Sequence, residues 1–330
     1  MLFENKTILV TGGTGSWGYE LVKQLLMKNP KEIRIFSRNE NNQVTMKQTF
    51  ESDPRLTFII GDIKEKESVM NACKHVDYVF HLAALKHVTV CEEQPLEALK
   101  TNVLGTQYVI NAAICNKVKK MIYISTDKAA NPANFYGFTK SIGEKLVIHA
   151  NLLSPETKFV CIRAGNVLGS NGSVIHVFRK QLLERKKMTI THKDMTRFFL
   201  SLEDAISLLF KATKDSIGGE IFVMKMPACR IVDLAKVLAE AHRVNDVEME
   251  ELGIRPGEKI HEILLSEYEH ANTVEYDSNY FVILPSIGIQ GLREHYAHCP
   301  MAKVKRYESK DYLMSKQDIR NMLKKGQFIP

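Results

Sequence analysis

Short uninterrupted apolar runs alternate with amphipathic stretches through the first half of the chain. Thr7–Val10, Ile33–Phe36, Leu56–Ile60, Tyr78–His81, Met121–Ser125 and Phe159–Ile162 are such runs, without the strict polar/apolar alternation of a half-exposed strand. They predict strands of a parallel sheet covered on both faces. Between them, Glu20–Met27 and Ser141–Ala150 carry the helical spacing of apolar residues. Strand, helix, strand repeated in this way predicts an α/β fold, a doubly wound parallel sheet of the Rossmann kind.

The rhythm breaks after about Arg163. Gly, Asn and Ser cluster over Ala164–Ser173, and Gly218–Gly219 and Arg255–Gly257 predict turns. The 330 residues therefore divide into a Rossmann domain over 1–165 and a smaller, mixed C-terminal lobe over 166–330. That boundary is soft, because later segments can re-enter the sheet. Helical segments near Leu96–Lys117 and Tyr136–Asn151 also carry apolar faces, which core packing or association with a second copy explains equally well.

Composition narrows the class. With 45% hydrophobic and 25% charged residues the chain is globular, neither disordered nor fibrous. No apolar stretch reaches the roughly 18 residues of a membrane-spanning helix. The start, MLFENKTILVTGG, lacks the basic flank and cleavage site of a signal peptide, so a cytoplasmic protein is expected. The net charge of +7 is spread along the chain. It suits anionic ligands such as phosphates, or is simply a solvated basic surface. No basic run interleaved with aromatics points to nucleic acid. The 6 cysteines are scattered with no C-x-x-C pair, so neither a zinc site nor a disulfide framework is expected.

The first strand runs straight into Thr11-Gly12-Gly13-Thr14-Gly15-Ser16-Trp17-Gly18. Gly12, Gly15 and Gly18 have the spacing of a dinucleotide-binding turn: a tight bend, close approach of backbone to pyrophosphate, and close helix–strand packing. The following helix aims its first amides at the anion. At the second strand's end stands Phe36-Ser37-Arg38, where an NAD enzyme places an acid for the ribose hydroxyls. Ser37 can donate to a 2′-phosphate and Arg38 can pair with it, which favours NADP; a plain surface arginine is the alternative. Asp62, after the third strand, suits either the adenine amino group or a helix cap.

Tyr136 and Lys140 stand four apart, on one face of a helix. A lysine beside a phenol favours phenolate, so the pair can take the proton of a substrate alcohol as hydride leaves its carbon. The pair follows a glycine-rich cofactor turn and a strand ending in Ser125-Thr126, which gives it weight that Y-x-x-x-K alone lacks.

With these motifs in place the chain resembles the extended short-chain dehydrogenase/reductases. More narrowly it resembles the UDP-N-acetylglucosamine 4,6-dehydratases of bacterial surface-sugar synthesis, including the C5-inverting enzymes of the pseudaminic acid pathway. The matching segments are TGGTGSWG, IFSRNE, GDI, HLAALKHV, STDKAANPANFYGFTK, RAGNVLGSNGSVI, ITHKDMTRF and GIRPGEKIHE, spanning residues 11 to 262.

The resemblance implies roles residue by residue. Tyr136 would be the base for the C4 hydroxyl, Lys140 its partner, and Thr126 a hydrogen bond to the C4 oxygen. Asp127 would protonate the departing C6 hydroxyl and Lys128 would take the C5 proton. Cofactor contacts would come from Gly12, Thr14, Gly15, Ser16, Trp17, Gly18, Ser37 and Arg38. Asp62, Ile63, Leu82, Ala83, Lys86 and Ser125 would join them, with Tyr136 and Lys140. Substrate contacts would come from Lys86, Asn166, Val174, Thr191, Arg197, Arg255 and Glu258. The two arginines would bind the diphosphate and Glu258 the ribose hydroxyls; for both arginines surface pairing is the alternative. His87 suits a structural role or a ligand contact.

The implied reaction needs no external reductant. Hydride leaves C4 for NADP, the ketone acidifies the C5 hydrogen, water is lost across C5 and C6, and hydride returns to C6. The product would be a UDP-linked 4-keto-6-deoxy-N-acetylhexosamine, inverted at C5 if the proton returns to the opposite face. Release of the 5,6-alkene is an alternative outcome. A UDP-sugar 4-epimerase would share Tyr136 and Lys140 but would need neither Asp127 nor Lys128. A silent NADP-binding regulator should lose the Tyr–Lys pair. Ala164, Asn171 and Trp17 depart from residues usual in the family, and Asn171 weakens an expected pyrophosphate contact. The family also implies a homo-oligomer.

Overall fold

The computed structural model describes residues 2–170, 172–184, 187–244 and 247–329. Asn171, one of the departures noted above, lies outside the described residues.

Six strands occupy the expected runs: Thr7–Thr11 (β1), Glu32–Ser37 (β2), Leu56–Ile60 (β3), Tyr78–His81 (β4), Lys120–Thr126 (β5) and Lys158–Ala164 (β6). Several reach one or two residues beyond the apolar run, because ladder pairing continues past the residues that burial selects. Thr126, for example, still pairs with Ala164. The second half adds Asn166–Val167 (β7), Met188–Ile190 (β8), Thr196–Leu200 (β9), Ile221–Met224 (β10) and Ala228–Arg230 (β11). Met249–Glu251 (β12), Ile263–Leu265 (β13), Thr273–Glu275 (β14), Tyr280–Ile283 (β15) and Tyr307–Glu308 (β16) complete the strands.

Nine strands form one sheet in the order β14-β15-β10-β6-β5-β4-β1-β2-β3. From β10 to β3 every neighbour is parallel; β15 and β14 close the edge antiparallel. Three strands from beyond residue 165 thus join the sheet. Their pairing is long-range: Phe222 of β10 lies against Ile162 of β6 and Val282 of β15. Val10, Ile35, Val79, Ile122, Val160 and Phe222 sit in the centre, fully buried. Helices cover both faces, which is why the strands carry no polar face.

The first helix, Ser16–Leu26 (α1), begins earlier than its apolar period suggests, directly after Gly15. A Cβ on Gly18 would stand 2.0 Å from the Gly13 carbonyl oxygen, so glycine lets the first helical turn press onto the strand end. Phe135–Leu153 (α7), which follows Glu40–Thr49 (α2), Lys66–Ala72 (α3), Val88–Glu93 (α4), Pro95–Leu99 (α5) and Gly105–Cys115 (α6), extends the amphipathic run at both ends, its start fixed by the Asn134 side chain accepting from the Gly137 amide. The segment near Leu96–Lys117 is not one regular helix. Pro95–Leu99 opens it, Lys100–Leu104 is a π-helical turn, and Gly105–Cys115 continues as α-helix. In the widened turn Asn102 accepts from the Leu85 amide at 2.8 Å and donates to the Leu85 carbonyl at 2.9 Å. The π turn thereby anchors the loop after β4, a use of such bulges that periodicity does not reveal.

A second hydrophobic cluster, with Phe178, Leu234, Leu238 and Ile319 buried, forms the smaller lobe. Arg163, fully buried at the end of β6, ties the halves together. Its guanidinium binds Glu144 of α7 at 2.6 and 3.0 Å and Glu269 of the C-terminal half at 2.9 and 3.1 Å.

Candidate active site

The carboxyl ends of β1, β2, β4, β5 and β6 open onto a cleft of about 910 Å³, closed on its far side by the smaller lobe. This is the position where open α/β sheets take ligands. Gly12, Thr14, Gly15, Ser16, Trp17 and Gly18 form one wall. Gly12 has φ of +69° and packs so closely on the next strand end that a Cβ would stand 2.8 Å from the Ala83 amide nitrogen. Leu82, Ala83 and Lys86 continue that wall along the loop after β4.

Ser37 and Arg38 lie at the cleft's outer end, with Ile63 nearby. Gln43 donates to Ser37 Oγ at 3.0 Å, which leaves the hydroxyl proton of Ser37 to give away. Arg38 is paired loosely, 4.0 Å from Asp62. Asp62 itself is not part of the cleft lining. Its carboxylate accepts from the Lys64 amide at 2.9 Å, so it closes the turn before the helix Lys66–Ala72 instead of capping that helix.

At the floor stand Ser125, Thr126, Lys128, Tyr136 and Lys140. Strand β5 delivers the first two, a short 3-10 turn over Asp127–Ala129 the next, and the first two turns of α7 the last pair. Lys140 Nζ donates to the Ile124 carbonyl at 2.6 Å and sits 3.9 Å above the Tyr123 ring. Burial lowers Lys140 to about 7 and pushes the Tyr136 phenol up to about 12, although the Lys128 charge opposes the latter shift. Ser125 Oγ is buried and has no partner among the described residues, a polar atom left for a ligand.

Asp127 does not line the cleft. It is wholly buried beneath Lys128, whose Nζ stands 3.0 Å from Asp127 Oδ1; Thr126 Oγ1 donates to the same oxygen at 2.8 Å. Burial raises the Asp127 carboxyl, the neighbouring Glu262 adds to that, and Lys128 pulls the other way. Burial alone would lower Lys128, but Asp127 and Glu262 outweigh it and hold the ammonium above the usual lysine range.

The smaller lobe contributes Asn166, Val174, Thr191, Arg197, Arg255 and Glu258, all on the cleft. Arg197 is buried on β9, its Nη1 donating to the carbonyls of Thr196 and Ile260 at 2.8 and 3.1 Å. The Arg255 amide donates to Glu258 at 3.4 Å, closing the predicted turn. Ala164 also lines the cleft, as does His87. Glu262 is the residue that motif reading passed over. It directly precedes the apolar run Ile263–Leu265, yet it is buried and faces Lys128 and Arg197. An acid set against a strand was the available signal.

The residues present fit a dinucleotide. Only glycine fits the tight turn of Gly12 against Ala83 and of Gly18 against Gly13, which sets the turn on the cleft wall, and Ser125 Oγ awaits a partner.

Comparison with known proteins agrees with this geometry. The family described as polysaccharide biosynthesis protein matches residues 8–284. A Campylobacter jejuni protein named UDP-N-acetylglucosamine 4,6-dehydratase (inverting) is 44% identical over 292 residues, 87% of this chain and 85% of that one. A Rickettsia massiliae protein named UDP-glucose 4-epimerase is 45% identical over 276 residues, 82% of this chain and 80% of that one. The solved structure of Pen from Bacillus thuringiensis superposes with a TM-score of 0.91 at 39% identity, covering 98% of this chain and 100% of that one. With a glycine turn, a Tyr–Lys pair and a cleft at the sheet's carboxyl edge, the chain belongs to the polysaccharide biosynthesis protein family of extended short-chain dehydrogenase/reductases.

Proposed function

We propose that this protein is an NADP-dependent UDP-N-acetylglucosamine 4,6-dehydratase that inverts C5. The observation that carries this reading is Lys128 on the same cleft floor as Tyr136 and Lys140, with Asp127 paired to it from beneath. The Tyr–Lys pair serves oxidation at C4; the acid and the amine serve the loss of water.

Tyr136 takes the proton of the C4 hydroxyl as its phenolate, a form that burial disfavours in the free protein and that the positive nicotinamide ring of a bound cofactor would favour, with Lys140 behind it and Thr126 holding the C4 oxygen. When bound, NADP supplies a hydride acceptor at C4 and a hydride donor at C6. Lys128 removes the C5 proton, made acidic by the C4 ketone. Asp127, whose carboxyl burial raises toward protonation against the pull of Lys128, gives its proton to the departing C6 hydroxyl, which leaves as water. Return of a proton to the other face of C5 inverts that centre. Arg197 and Arg255 hold the diphosphate, Glu258 the ribose, and Asn166, Val174, Thr191 and Lys86 line the sugar nucleotide's path. Ser37 and Arg38 bind the 2′-phosphate that distinguishes NADP from NAD.

The exposed apolar residues Phe138 and Ile142 of α7, with Leu104 of the π-helical turn packed on that helix, serve as a contact between copies of the chain. A single charge there, Phe138→Glu, would then shift the protein to monomer in sedimentation.

The name of the Rickettsia relative favours epimerisation at C4 as a second reading. Proton NMR of the protein with UDP-N-acetylglucosamine in deuterated water separates the two. A new C6 methyl signal with deuterium at C5 supports the dehydratase, and the couplings report the C5 configuration. A galacto-configured product without a methyl overturns it. Alkene protons without a methyl show that water leaves but hydride does not return.

A further inference from the structure

Glu262 Oε1 stands 3.2 Å from Lys128 Nζ and 3.7 Å from Arg197 Nε, so one carboxylate oxygen is shared by two cations. Its other oxygen is buried without a partner among the described residues. The backbone fixes it in place. The Glu262 amide donates to Ser309 Oγ at 2.9 Å, and the Ser309 amide returns a bond to the Glu262 carbonyl at 2.9 Å. The stretch before it runs along β9, with the Thr196 amide bonded to the Ile260 carbonyl at 3.0 Å.

Buried carboxylates are costly unless they are paired. Here the pairing links two parts of the site: Arg197 lines the cleft on the lobe side and Lys128 lines its floor. We infer that Glu262 is a positioning residue that couples capture of the substrate diphosphate by Arg197 to deprotonation of Lys128. This rests on the dehydratase reading of Lys128.

A phosphate oxygen arriving at Arg197 competes with Glu262 for the guanidinium. Glu262 then faces Lys128 with less compensating positive charge, and its affinity for a proton rises. One N–H bond of the Lys128 ammonium breaks and one O–H bond forms on Glu262. The neutral amine is then free to take the C5 proton. No co-reactant is needed. The titratable and charged groups facing this pair are Asp127 and Tyr136 from the floor, Arg197 from β9 and Lys259 from its own segment. In the free protein Lys128, Arg197 and Lys259 outweigh burial and hold Glu262 below the usual carboxylate range, so the proton stays on lysine until the diphosphate binds.

The test is C5 deuterium incorporation from UDP-N-acetylglucosamine in deuterated water, for wild type and Glu262→Gln, with UDP affinity measured by calorimetry. The expected result is kcat for exchange lowered about 100-fold, with UDP bound at least as tightly as by wild type because Arg197 loses its competing carboxylate. Exchange in the Gln variant should also recover about tenfold per pH unit as solution takes over deprotonation of Lys128, while wild type stays nearly flat. Should the Gln variant fail to fold, Glu262→Asp carries the test: exchange must fall at least about tenfold with UDP affinity kept. Exchange that is unchanged or faster in the variant overturns the inference alone. A wild type that places no deuterium at C5 overturns the dehydratase reading and the inference together.

Discussion

The Lys128 ammonium and the Asp127 carboxylate, consecutive in sequence, form a 3.0 Å ion pair in which the lysine is 20% exposed and the aspartate 1%. The lysine covers the acid and faces the cleft. Lys128→Met should therefore remove the C5 base and expose an acid stripped of its cation. We expect dehydration to fall by about 10²–10⁴-fold, and a similar fall for Asp127→Asn, with UDP affinity unchanged within about threefold. The C6 methyl signal in NMR reads the rate, and calorimetry the affinity. Full dehydration by either variant would remove that residue from the reaction.

Arg38 offers the cleft's outer end a guanidinium whose one ion pair among the described residues is a 4.0 Å contact to Asp62. Hydrogen bonds to charged groups contribute about 1.5–3 kcal/mol each. Arg38→Ala should thus weaken NADP binding by about 10–100-fold and leave NAD binding nearly unchanged. Titration of both nucleotides against both proteins checks this. Equal losses for the two would assign Arg38 to the shared adenosine half.

Arg163 is wholly buried between Glu144 and Glu269, bonded to both oxygens of each. Together the two carboxylates outweigh the burial penalty and hold the guanidinium charged. Arg163→Met leaves the buried Glu144 and half-buried Glu269 carboxylates without their shared cation, a change that costs about 3–5 kcal/mol. Arg163→Lys should rescue little of it, because an ammonium lacks the planar fork that serves two partners at once. Urea unfolding gives both values.

His81 is buried between two threonines, 2.7 Å from Thr11 Oγ1 and 3.0 Å from Thr106 Oγ1. Burial, helped by the nearby Lys140, lowers it from 6.5 to about 3. Between those values the unfolded chain takes up a proton that the folded protein refuses. Stability is therefore intact above about pH 6.5 and falls as the pH drops, with a limiting slope of about 1.4 kcal/mol per pH unit from this one group. His81→Gln should unfold more readily at neutral pH yet lose less between pH 7 and pH 5 than wild type. Equal losses in denaturant melts at the two pH values would remove His81 from the acid response.

Chain order alone determined much of this protein. The buried strands were legible because parallel strands covered on both faces need continuous apolar runs, a local signal. The glycine turn was legible because only glycine tolerates the approach of Gly12 to Ala83 and of Gly18 to Gly13. Tyr136 and Lys140 were legible because helical geometry sets four residues apart on one face. Tertiary structure decided what periodicity does not encode. It brought Phe222 and Val282 back to the sheet through long-range ladders, and it set Arg163 between acids from two halves of the chain. It also turned Asp127 under Lys128 and brought Glu262 from the far lobe to within 3.2 Å of the lysine. Contacts of that kind depend on where loops return in space, and a one-dimensional pattern carries no distance between residues that meet only after folding.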